Sequence, residues 1–171
     1  MFKYKLLLDE GLLFLRFVDE YVADEGDQGV LRIVQTMTFD EIYSLKMVIW
    51  DLKDVTSMTL RDSDGARSAY FEKQLLSFIA RSEEFSKKPG NAAEHAGKDV
   101  LEFLNSLKLL CVRPEDGVVR GIFAERLKRI ASHSKDVQSL SIGEANNLHE
   151  LLQSLDLLRL EPMLEGELLV I

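Results

Sequence analysis

Cysteine is almost missing from this chain of 171 residues: Cys111 is the only one. A lone thiol cannot close an intrachain disulfide or assemble a thiolate metal cluster, which fits a reducing compartment. Histidine is scarce as well. His95, His133 and His149 lie far apart, without the spacing that puts two imidazoles on one helix face around a metal, so no metal site is expected. There is no run of roughly 20 consecutive apolar residues, which excludes a membrane-spanning helix. The apolar stretch after Lys5 is too short for a secretory signal, and a cytoplasmic location is expected. No phosphate-cradling loop occurs either, since Gly26-Asp27-Gln28-Gly29 lacks the P-loop lysine and a nucleotide-type strand before it. A dense basic patch is also lacking. Arg126, Lys128 and Arg129 are the nearest approach, with Glu125 beside them, and the net charge of −8 repels phosphate backbones and argues against nucleic-acid binding.

What is present suits one domain with a single substantial core: 46% hydrophobic residues in a length that needs no staples. Residues 4–8 and 12–17 read as strands, and Asp9-Glu10-Gly11 between them favours a tight reversal into an antiparallel hairpin. Val30, Ile33, Val34 and Met37 recur with the spacing of one helical face. Residues 47–52 form a short apolar run, the pattern of a strand buried on both faces of a parallel sheet, and a polar loop is expected over 53–59. Thr59-Leu60-Arg61-Asp62 has the form of a helix start, predicting a helix over 60–81 with Phe71, Leu75, Phe78 and Ile79 on its buried side. Lys87-Lys88-Pro89-Gly90 lies in an irregular excursion over 82–97. A short helix over 98–105 and a strand over 107–112 follow. Pro114-Glu115-Asp116 opens a helix lined by Val119, Phe123, Leu127 and Ile130. A strand over 137–142 and a helix over 144–155, carrying Leu148, Leu151, Leu152 and Leu155, complete the domain at 1–155. Residues 156–171 stand as a C-terminal extension. Alternating strands and helices predict an α/β fold, with a mostly parallel sheet of about five strands, an N-terminal antiparallel hairpin and helices packed against it.

This order, with Val48-Ile49-Trp50-Asp51-Leu52-Lys53-Asp54-Val55-Thr56-Ser57-Met58 and Leu109-Leu110-Cys111-Val112-Arg113-Pro114-Glu115-Asp116, resembles the STAS superfamily, the anti-sigma-factor-antagonist fold, and particularly its SpoIIAA-like relatives. The likeness spans residues 4–155. In the antagonists of this family an Asp-Ser-Ser-Gly type motif follows the central strand, and its serine is phosphorylated to switch partner binding. Here the nearest equivalent, Asp62-Ser63-Asp64-Gly65, comes three residues late. The resemblance therefore implies Thr59, Ser57 and Ser63 as candidate phosphoacceptors, with helix capping as the plainer role of Thr59.

The expected function is a non-enzymatic regulatory module that binds a protein partner or itself as a homodimer, with Met58, Tyr70 and Phe71 at the partner surface. The alternative is a carrier related to lipid-transfer domains, enclosing an apolar ligand among side chains such as Phe71, Leu75 and Phe123. No cofactor is implied. Asp51 and Asp54 are candidates to face a ligand, since open parallel sheets bind beyond the carboxyl ends of their strands, but they read more simply as a turn and a solvated loop. Cys111 reads as an inert thiol in an apolar strand. Glu115 and Asp116 read as helix-start charges.

Overall fold

A computed structural model describes residues 2–59, 106–133 and 141–170. Strand β1 (Phe2–Leu7) runs through a 3-10 turn, Leu8–Glu10, into β2 (Leu12–Val22). Gly11 makes the reversal with φ +63, where a Cβ would lie 2.5 Å from the Ser44 carbonyl oxygen. Its own carbonyl accepts from the Lys46 and Met47 amides at 2.7 and 3.1 Å, tying the hairpin to the entrance of β3 (Met47–Thr59). The expected hairpin is present.

Between β2 and β3 lie α1 (Ala23–Thr36) and α2 (Phe39–Ser44). Val30, Ile33, Val34 and Met37 are buried, as their spacing predicts. The helix begins well before them because Gly29, which looks like a helix breaker, lets Phe2 pack where any Cβ would overlap its ring. A capping box starts α2: the Glu41 amide donates to the Thr38 hydroxyl at 3.3 Å, and the Thr38 amide donates to the Glu41 carboxylate at 2.7 Å. That bond from the Thr38 amide, and after it the Thr38 hydroxyl donating to the same carboxylate at 2.9 Å, hold the Glu41 carboxyl below its usual range.

Then come β4 (Lys108–Val112), α3 (Gly117–His133), β5 (Ser141–Ala145), α4 (Leu148–Ser154), a 3-10 turn at Leu158–Leu160, α5 (Glu161–Glu165) and β6 (Leu169–Val170). The α/β class is observed. In place of about five mostly parallel strands, however, the sheet has six in the order β5-β4-β3-β2-β1-β6 and is mixed. β2 through β5 pair in parallel, whereas β1 is antiparallel to both β2 and β6.

Stepping from β2 to β3 and from β4 to β5 in one direction by crossovers of one hand puts α1 and α3 on one face. Accordingly α1 supplies Ile33 and Val34, and α3 supplies Val119 and Phe123, to a single core against Leu13, Leu15, Phe17, Val48, Leu52 and Val55. The opposite face carries a second core: Leu12, Phe14, Ile49, Leu110 and Val112 under Leu148, Leu151, Leu152, Leu160 and Leu164. The C-terminal residues thus pack on their own sheet, where each buried leucine contributes about 2 kcal/mol.

Several boundaries differ from expectation, among them the end of β2, expected at residue 17 and found at Val22. The strand expected over 137–142 is β5 at Ser141–Ala145, and the helix expected over 144–155 begins only at Leu148, after Asn147 caps it by accepting from the Glu150 amide at 2.8 Å. The polar loop expected over 53–59 is instead the outer half of β3. Two one-residue bulges hide it, one between the Arg16–Asp51 and Val18–Asp54 pairs and one between Asp19–Val55 and Glu20–Ser57. Each inserts a residue, so Leu52, Val55 and Met58 face the first core at intervals of three rather than two. The helices expected over 60–81 and 98–105 and the excursion at 82–97 lie outside the described residues.

Candidate functional site

Strands β2 and β3 outrun their neighbours. The last β1 partner of β2 is Phe2, opposite Phe17, and the last β4 partner of β3 is Val112, opposite Asp51. Beyond those pairs the Lys53 carbonyl accepts from the Glu115 amide at 3.2 Å, and from Val18–Asp54 to Val22–Thr59 β2 and β3 have, among the described strands, only each other. Tyr21 and Val55 pin this ribbon to the first core, while Asp54, Thr56, Ser57 and Thr59 are exposed. Asp19 takes φ +63 at the second bulge, and its carbonyl accepts from the Thr56 hydroxyl at 3.0 Å.

Of the candidate phosphoacceptors, Ser57 is exposed and sits opposite Glu20. Thr59 ends the strand, and its hydroxyl donates to Glu20 Oε1 at 3.4 Å. An extended backbone at Thr59 also suits a helix N-cap, whose own dihedrals are non-helical. Met58 is half-buried against the first core, so only part of it is available to a partner. Ser63, Tyr70, Phe71 and Leu75 lie outside the described residues. Phe123, named for an apolar ligand site, is a packed core residue.

Asp51 corrects its expected place in a turn. It lies mid-strand, 1% exposed, directly opposite Arg16. Its Oδ2 accepts from Arg16 Nε at 2.8 Å and its Oδ1 from the Lys53 amide at 3.2 Å. The second contact turns the Lys53 amide toward Asp51 where the first bulge begins. Arg16 lies with its guanidinium carbon 5.3 Å from the Phe14 ring centroid, and its outer nitrogens donate to both oxygens of Glu165 at 2.9 and 3.1 Å. Burial pushes the Asp51 carboxyl up, against the pull of Arg16. Burial works against the Arg16 charge, but the bonds from Glu165 and Asp51 outweigh it and raise its pKa. The same guanidinium holds Glu165 below the usual carboxylate range. The available signal was two opposite charges, each interrupting an apolar run: Arg16 after Leu12-Leu13-Phe14-Leu15 and Asp51 after Val48-Ile49-Trp50. Glu165 carried no such mark.

The remaining candidates have structural places. Asp54 is exposed. Trp50 joins an aromatic cluster with Phe17 and Tyr21, at centroid distances of 5.8 and 6.2 Å. Cys111 is buried in β4. Asp116 caps α3 by accepting from the Val118 and Val119 amides at 2.9 and 3.0 Å, and Glu115 stays exposed. His149 pairs with Glu161 at 2.9 Å on the surface. Among the described residues no group of three or more His, Cys, Asp and Glu side chains is placed to hold a metal, and no helix is long and apolar enough to cross a membrane.

No protein-family model matches the chain, and no match is found among curated proteins.

Proposed function

We propose that the chain is a non-enzymatic regulatory module of the STAS, SpoIIAA-like type, binding a protein partner or a second copy of itself through the outer end of β3 and the residues that follow. The observation carrying this reading is the β2–β3 ribbon, which holds Ser57, Met58 and Thr59 on a paired backbone beyond the rest of the described sheet. A pinned ribbon loses little conformational freedom on binding, which favours recognition. Two of the carboxylates near it have structural partners: Asp51 is held by Arg16 and Asp116 by a helix start. That arrangement suits a binding surface better than a proton-transfer site.

Phosphorylation would act here by repulsion. A phosphoryl group on Thr59 replaces a hydroxyl that bonds Glu20 with a charge of about −2 beside a carboxylate, which unseats the ribbon's end and changes the surface it presents. Two measurements test the proposal. Light scattering across a concentration series is expected to show a reversible dimer, or mass spectrometry of protein from its own cell to show phosphate on Ser57, Thr59 or Ser63. Monomer at every concentration together with no phosphate at those residues contradicts the reading.

A further inference from the structure

The Arg16 guanidinium is built as a fork. Asp51, 1% exposed, takes Nε from below, and the Phe14 ring lies 5.3 Å from the guanidinium carbon, so the two outer nitrogens point in a fixed direction. Such a preset fork suits a carboxylate gripped by two parallel bonds. Its occupant is Glu165 of the same chain, itself 47% exposed. From Glu165 the chain passes Gly166 and reaches β6, only two residues long, which pairs Leu169 with Tyr4 and Val170 with Lys3 on the outer edge of β1. Leu169 and Val170 remain 61% and 57% exposed, and Leu168 is only partly buried against the second core, so little burial holds the segment in place. Lys5 Nζ adds bonds to the Met163 and Glu167 carbonyl oxygens at 2.8 and 3.1 Å. The firm anchors, Leu160 and Leu164, buried in the second core, lie just before this segment.

We infer that the Arg16 fork and the outer edge of β1 form a docking site for an acidic, extended segment of a partner protein, and that residues 165–170 fill it as a displaceable stand-in. Asp51 balances the Arg16 charge, but Lys5, which bonds to this segment, and Lys53, whose charge acts on Glu165, add positive charge there in a chain of net charge −8, which matches an acidic partner. The built-in occupant specifies the ligand: a carboxylate for the fork, then two apolar residues four and five positions on that add to the edge by main-chain bonds. The site stands apart from the outer end of β3 and does not rest on the function proposed for it.

The test uses the full chain and a fluorescently labelled peptide of sequence 165–170, followed by anisotropy. Glu165→Gln weakens the internal occupant, so the peptide is expected to bind that variant about tenfold more tightly than the wild-type chain. A second peptide with glutamine at its first position leaves the protein untouched and is expected to lose that gain. Equal affinity for both chains, no difference between the two peptides, or no binding at all overturns the inference.

Discussion

Arg16 and Asp51 bring opposite charges into a layer otherwise built from leucine, phenylalanine, isoleucine and valine. Desolvating two ions costs several kcal/mol each, and their attraction offsets this only while every donor and acceptor is used. Arg16→Met leaves Asp51 buried without its cation and is expected to lower stability by about 3 kcal/mol in urea unfolding at neutral pH. The pH dependence follows from the directions of the shifts. Asp51 already titrates above its unfolded value, so its ionised form weighs against folding as pH rises, and loss of Arg16 pushes it further up. Glu165 titrates below its unfolded value, so its contribution is present above that value and is lost as pH falls through the folded one. Both effects narrow the gap between wild type and Arg16→Met on acidification. A gap that widens as pH falls contradicts the assigned pairing. Replacing Arg16 and Asp51 together by Met and Leu is expected to recover most of the loss, since a well-packed apolar pair needs no partners.

At the level of elements, the strength of periodic signals decided what could be read. Residues 47–52 showed as a buried strand because apolar residues fill both faces, and the helix face from Val30 to Met37 showed because its spacing is regular. The outer half of β3 did not show, because its two bulges turn a period of two into steps of three and expose polar residues between. Glycines hid the start of α1, where a close aromatic contact outweighs their low helix propensity of about 1 kcal/mol. The Arg16–Asp51–Glu165 chain depends on strand register and on a contact 149 residues away in sequence, neither of which a local pattern carries. The hairpin turn offers a direct test. Gly11→Ala combines a left-handed backbone with a clash against the Ser44 carbonyl, and is expected to cost at least about 1–2 kcal/mol in denaturant unfolding. An unchanged midpoint contradicts that geometry.

Across the molecule, one sheet separates two cores, and the C-terminal segment closes the second. Leu164→Ala is therefore expected to destabilise by about 3 kcal/mol, the cost of a cavity in a packed interior, whereas a loosely attached tail gives no measurable change. The functional reading rests on the other side of this plan, where β3 leaves the sheet's centre and continues with β2 as a paired ribbon. Solution NMR tests that continuation most directly. Inter-strand backbone NOEs between Tyr21 and Met58 and between Val22 and Thr59 are the predicted result. Inter-strand NOEs that stop at the Arg16–Asp51 pair, with loop-like shifts over 53–59, would contradict it.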